Sequence, residues 1–107
     1  MTSTQIAGQI IACFKRGNSV IIFGNGGSLA DASHFAAEFN GIASVVALND
    51  PAKITSIGND RDFRFIFSQQ IIDISMAGDV IIGLSSSGKS KNIQIALNTA
   101  RGFNNLE

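Results

Sequence analysis

The chain has 107 residues, with eight Lys and Arg balanced by eight Asp and Glu, so its formal net charge is zero. Hydrophobic residues make up 45% and charged residues 15%, which excludes a disordered chain, and the neutral balance argues against a nucleic-acid surface or a polybasic membrane anchor. No apolar run approaches the ~18 residues of a membrane span, no cleavable leader opens the chain, and one cysteine cannot form an internal disulfide. A single soluble, cytoplasmic domain with a lightly charged surface is expected.

In chain order, Ile6, Ile10, Cys13 and Phe14 recur at helical spacing and predict a first helix, with Cys13 a core filler on its apolar stripe rather than a nucleophile. Gly17-Asn18 ends it. Val20 to Phe23 is a continuously apolar run, the pattern of a strand buried on both faces. The turn Gly24-Asn25-Gly26-Gly27 follows, and Ser28 with Asp31 three residues on resembles a capping box opening a helix from Leu29 to about Asn40.

Val45 to Leu48 predicts a second buried strand, closed by Asn49-Asp50-Pro51. Residues 52–57 fit helix or strand, and Asn59-Asp60 reads as a loop. Phe67, Ile71, Ile72 and then Ser75-Met76 suggest an amphipathic helix ended at Gly78. Val80 to Ile82 is a third buried run, followed by a Ser/Gly turn and a helix carrying Ile93, Ala96, Leu97 and Ala100. Strands alternating with helices predict a parallel sheet covered on both faces, the α/β class.

Two segments share one scheme of buried strand, Gly/Ser turn and helix start, "SVIIFGNGGSLADA" and "DVIIGLSSSGKSKN". In an open parallel sheet, ligands collect at the carboxyl ends of strands, where helix-start amides favour an anion such as phosphate. Serine hydroxyls add donors without bulk, so a neutral chain can hold a phosphate; tight connections with serine caps would leave the same pattern.

Two other motifs compete. Gly24-x-Gly26-x-x-Leu29 imitates a dinucleotide fingerprint, and Asp50 sits where a ribose ligand could, but Leu29 stands where a small residue is needed. Gly83 to Ser90 satisfies the Walker A pattern, with little chain after it for the remaining parts of an NTPase. His34 and Glu38, spaced i, i+4, share one helix face and could hold a metal or a substrate, or be a solvated polar pair.

"IIFGNGGSLADASHFAAEFNG", "IGND" and "GDVIIGLSSSGKSKN", in that order, resemble the sugar isomerase (SIS) domain family, and within it the phosphoheptose isomerases, from about Gln5 to Arg101. The resemblance implies a flavodoxin-like three-layer α/β/α sandwich with a parallel sheet, spanning 1–107 as one SIS domain incomplete against the family's length. It implies sugar-phosphate binding by Ser85, Ser86, Ser87 and Ser90, with Asn25, Gly26, Gly27, Ser28, Asn59 and Asp60 contacting the sugar. His34 and Glu38 would be zinc ligands, and Glu38 the catalytic base in the aldose–ketose isomerisation of sedoheptulose 7-phosphate. The product would be a heptose 7-phosphate, precursor of activated heptose for lipopolysaccharide or capsule, and the family assembles as homotetramers.

This sequence departs from the family at three places. The family's further metal ligands, a Gln and a His that is also the partner acid/base, belong to a C-terminal part not found before Glu107. The segment Asn40 to Val45 is short, with Ile42 where an Arg is common, and Lys89 replaces a small polar residue. A regulatory relative with the same fold lacks the glutamate matching Glu38, so a non-catalytic sugar-phosphate-binding or interaction module is the alternative expectation.

Overall fold

Thr2 starts the first helix as a capping box: its hydroxyl accepts from Gln5 N at 3.1 Å while Gln5 Oε1 accepts from Thr2 N at 2.8 Å. The structure, a computed structural model, describes residues 2–102. In order it contains α1 (Ser3–Lys15), β1 (Val20–Gly24), α2 (Gly27–Glu38), β2 (Val45–Ala47), α3 (Pro51–Asp60), a 3-10 turn at Phe63–Phe65, α4 (Ser68–Ile74), β3 (Val80–Leu84) and α5 (Lys91–Gly102). No helix among the described residues is long and apolar enough to cross a membrane.

The three strands are parallel in the order β2-β1-β3, with Val20 level with both Val45 and Val80. Strand alternation sends successive side chains to opposite faces. Val20 and Val80 therefore meet Cys13, Ile10 and Phe14 of α1 and Phe35 of α2. Ile21, Phe23 and Ile81 meet Ile54 and Ile57 of α3, Phe67 and Ile71, and Ile93, Ala96 and Ala100 of α5. This is the expected three-layer α/β/α arrangement. The Phe23 and Phe67 rings lie 5.0 Å apart at the centre of the second face, where each buried large side chain contributes roughly 1.5–3 kcal/mol.

Cys13 is fully buried, as its stripe position predicted, and its Sγ donates to Ser19 O at 3.3 Å. Asp79 is a buried carboxylate with partners: it accepts from Asn18 Nδ2 and Ser19 N at 3.0 Å and from Met76 N at 2.8 Å. Those bonds tie the entrance of β3 to the entrance of β1, and a buried charge needs such donors.

Several expectations are corrected. The expected Ser28 and Asp31 capping box is not formed: Gly26 is the N-cap of α2, with φ 56, and no side chain caps the helix. Glycine alone adopts that conformation cheaply, so the helix starts two residues earlier than Leu29. β2 is half exposed rather than buried on both faces, because it forms an edge of the sheet. Residues 52–57 are helical, opened by Asp50, whose carboxylate accepts from Ala52 N at 2.9 Å, with Pro51 as the first helical residue. That helix carries Asn59 and Asp60 in its last turn, where a loop was expected. α4 ends at Ile74, with Ser75 extended, so Ser75-Met76 lie outside it, and Ile72 faces solvent.

Candidate functional site

The order β2-β1-β3 makes β1 the strand at which the chain changes direction across the sheet. The crevice between the carboxyl ends of β1 and β3 is where ligands of open parallel sheets bind. Both Gly/Ser turns leave the sheet there, since Gly24 is level with Leu84. Gly24 is required for this closeness: a Cβ on it would lie 2.7 Å from Ser28 Cβ and 2.9 Å from Leu84 O.

A residue that the sequence reading did not single out joins the turns. Asn25 Nδ2 donates to Asn92 Oδ1 at 2.9 Å, and Asn92 Nδ2 donates to Asn25 Oδ1 at 3.0 Å. Asn92 is buried although it is polar, in the first turn of α5. Its signal was the parallel between the two strand-turn-helix segments, each with an asparagine beside the turn.

The first turn leaves α2 with no side-chain cap, and Gly26 and Gly27 exposed. Ser28 N donates to Asn25 O and Leu29 N to Gly26 O, both at 3.0 Å, so the amides this turn leaves open to an anion are those of Gly26 and Gly27. In the second turn, Ser85 Oγ accepts from Gly88 N at 3.0 Å and Ser87 Oγ accepts from Lys89 N at 3.1 Å. The serines thus occupy two amides that could have met a phosphate directly. Each hydroxyl keeps its own proton, and an oxygen that already accepts a hydrogen bond is a better donor. Ser86 and Ser87 are exposed, Ser85 and Ser90 half-buried. This turn presents serine hydroxyls together with the exposed cations Lys89 and Lys91.

The two competing motifs find structural explanations. Gly83 of the Walker-like run lies inside β3, where a Cβ would meet Ile93 Cγ2 at 3.0 Å, so its glycine serves the packing of α5. Leu29 follows a turn shaped by Gly24 and Gly26, and Asp50 is engaged as the N-cap of α3.

The other candidates stand apart from the turns. His34 Nε2 lies 2.9 Å from Glu38 Oε1, and both side chains are largely exposed, at 78% and 66%. They are seven and eleven residues beyond Gly27, so about 10 and 16 Å along α2 from the first turn. Asn59 Nδ2 donates to Asp60 Oδ1 at 3.2 Å, and no hydrogen bond links either residue to the turns. Two cavities, of about 380 and 160 Å³, include none of the candidate residues.

Imidazole nitrogen and carboxylate oxygen are donors that zinc accepts, but zinc normally takes at least three protein ligands. Among the described residues no group of three or more His, Cys, Asp or Glu is placed to hold a metal. The described residues therefore supply two donors and do not form a metal site.

Residues 4–104 match the family described as "SIS domain". A phosphoheptose isomerase of Campylobacter jejuni serotype O:6 is 41% identical over 109 residues, covering 94% of this chain and 59% of that protein. The phosphoheptose isomerase of Trichlorobacter lovleyi is 44% identical over 91% of this chain and 54% of its own. The solved structure of phosphoheptose isomerase GmhA from Neisseria gonorrhoeae matches with TM-score 0.93 at 41% identity, covering 95% of this chain and 57% of that one. The corresponding structure from Francisella tularensis matches with TM-score 0.92 at 31% identity. The chain spans between half and three-fifths of the length of these relatives.

Proposed function

This chain belongs to the SIS domain family, and on that premise we propose that it is the sugar-phosphate-binding part of a phosphoheptose isomerase acting on sedoheptulose 7-phosphate. The observation that carries the reading is the pair of Gly/Ser turns held side by side by Asn25 and Asn92 at the carboxyl ends of β1 and β3. Ser85, Ser86, Ser87 and Ser90 would hold the phosphate, with Asn25, Gly26, Gly27 and Ser28 facing the sugar. Asn59 and Asp60 belong to the same proposed set, and reach it only if a ligand or a neighbouring chain bridges the gap.

Glu38 would take a proton from carbon 1 of the ketose and return it to carbon 2 through an enediol. His34, 2.9 Å away, orients that carboxylate. His34 and Glu38 would also provide two of the donors for a zinc ion, the others coming from outside the described residues; when bound, zinc polarises the substrate's carbonyl oxygen. An exposed Glu38 already paired with His34 favours the isomerase over a non-catalytic binding module.

The same reading includes a cytoplasmic location, heptose supply for lipopolysaccharide or capsule, and a homotetramer. The exposed apolar side chains Ile11, Ile42, Phe63, Ile72 and Met76 support self-association. Calorimetry tests the ligand assignment. Sedoheptulose 7-phosphate should bind, and unphosphorylated sedoheptulose should bind far more weakly; equal heats, or none, would overturn it.

A further inference from the structure

The second Gly/Ser turn carries two lysines placed against the local electrostatics. Lys89 and Lys91 are exposed, and neither belongs to the ion pairs of the described residues, which are His34–Glu38 and Arg64–Asp62. Lys91 is the first residue of α5, and the first turn of that helix holds no acidic residue. A helix start carries partial positive charge, so lysines beside it oppose the dipole and repel each other. Lys15 and Arg101, by contrast, sit in the last turns of α1 and α5, where the dipole favours a cation.

A local rule broken without a compensating partner points to function. We propose that Lys89 is a specificity-determining residue of the phosphate site, supplying the counter-charge by which the site selects a dianionic sugar phosphate over a neutral sugar. The inference rests on the assignment of Ser85, Ser86, Ser87 and Ser90 to the phosphate. Lys89 N donates to Ser87 Oγ at 3.1 Å, so the Lys89 backbone lies against a hydroxyl assigned to the ligand. Gly88 N donates to Ser85 Oγ at 3.0 Å, and Gly88, with φ 69, turns the chain between Ser87 and Lys89. The turn thus curls around its serines and carries Lys89 on its exposed rim. From there the flexible four-carbon stem brings three N–H donors to a group held at Ser87.

Charge is what the rest of the site does not supply. Serine hydroxyls and backbone amides bond phosphate oxygens and sugar hydroxyls alike, so alone they discriminate weakly between the two. A phosphate monoester carries about −1.5 to −2 charge near neutral pH, and an ammonium rewards that charge directly. The chain's formal net charge is zero, so no overall field duplicates the effect of Lys89. A bound phosphate also relieves the repulsion at the start of α5, which couples ligand binding to the stability of that helix.

The test compares the parent chain with Lys89→Ser, Lys89→Arg and Lys53→Ser, each titrated with sedoheptulose 7-phosphate and followed by amide chemical shifts, which read weak binding. Lys53 is exposed on α3, so its removal takes away the same charge at a distance from the turn. Lys89→Ser should bind about tenfold more weakly and lose most of the salt dependence of the parent. Lys89→Arg should stay close to the parent, and Lys53→Ser should match it. Without ligand, Lys89→Ser should melt no lower than the parent, because the charge removed opposed the helix dipole. Equal affinity in Lys89→Ser, an equal loss in Lys53→Ser, or a lower melting temperature of ligand-free Lys89→Ser would overturn the proposal and leave the sugar-phosphate assignment standing. Absence of binding by the parent would overturn that assignment itself, and this inference with it.

Discussion

The side-chain amides of Asn25 and Asn92 hydrogen-bond each other in both directions, at 2.9 and 3.0 Å. The pair joins the turn after β1 to the first turn of α5, two segments 67 residues apart in sequence, and so holds the site's two halves in register. In Asn92→Ala the Asn25 amide loses both partners in a half-buried place, which costs about 1–3 kcal/mol. Urea denaturation should show that loss, and calorimetry should show weakened sugar-phosphate binding, although Asn92 itself need not touch the ligand.

Gly24→Ala should be disproportionately harmful for one added methyl group. Its Cβ would stand 2.7 Å from Ser28 Cβ and 2.9 Å from the backbone oxygen of Leu84. Backbone cannot step aside cheaply, so overpacking of about 1–3 kcal/mol is expected. Gly27→Ala, where a Cβ meets nothing within 4 Å, is the control and should melt close to the parent protein.

Ser87→Ala removes an exposed hydroxyl that accepts from Lys89 N at 3.1 Å. Stability should hardly change, because solvent takes over the freed amide. Sugar-phosphate affinity should fall about tenfold or more, since a hydrogen bond to a charged group is worth about 1.5–3 kcal/mol. Unchanged affinity would remove Ser87 from the phosphate site.

His34 and Glu38 predict a division between binding and turnover. With two donors and no third among the described residues, the 107-residue chain should bind sedoheptulose 7-phosphate weakly and isomerise it little. Readily measured turnover by the purified chain would contradict this. In a chain that does turn over, Glu38→Gln should abolish kcat while the heat of sugar-phosphate binding persists.

Asp62 predicts a small acid-side effect. The backbone N–H of Arg64 donates to its carboxylate at 2.8 Å and the guanidinium adds a second bond at 3.0 Å, which together hold this carboxyl below the usual carboxylate range. A carboxyl depressed in the folded state stabilises above its unfolded value, and that contribution is lost as pH falls through the folded value. A carbon-detected titration should place Asp62 below the other exposed carboxylates. Asp62→Asn should flatten the corresponding part of the stability profile.

Much of the fold was legible because its signals are local. The apolar runs Val20–Phe23 and Val80–Ile82 and the breaks at Gly17 and Gly78 depend on short-range sterics and on apolar patterning. The errors fall where distant chain decided the outcome. Ser28 looked like a cap, but Gly26 turns the chain so that Ser28 packs on Gly24, and only the approach of β1 and β3 makes that necessary. Val45–Ala47 carries the composition of a central strand, and its place at an edge is a property of the sheet.

The sequence by itself determined the alternation of strands and helices, the two Gly/Ser turns and the neutral charge balance. Tertiary structure decided that the turns lie side by side, that Asn92 locks them together, and that His34 and Glu38 stand apart on an exposed helix face. The physical reason is range. Turn and helix chemistry is set within a few residues, whereas strand order and the Asn25–Asn92 bond exist only once hydrophobic burial has brought distant segments together.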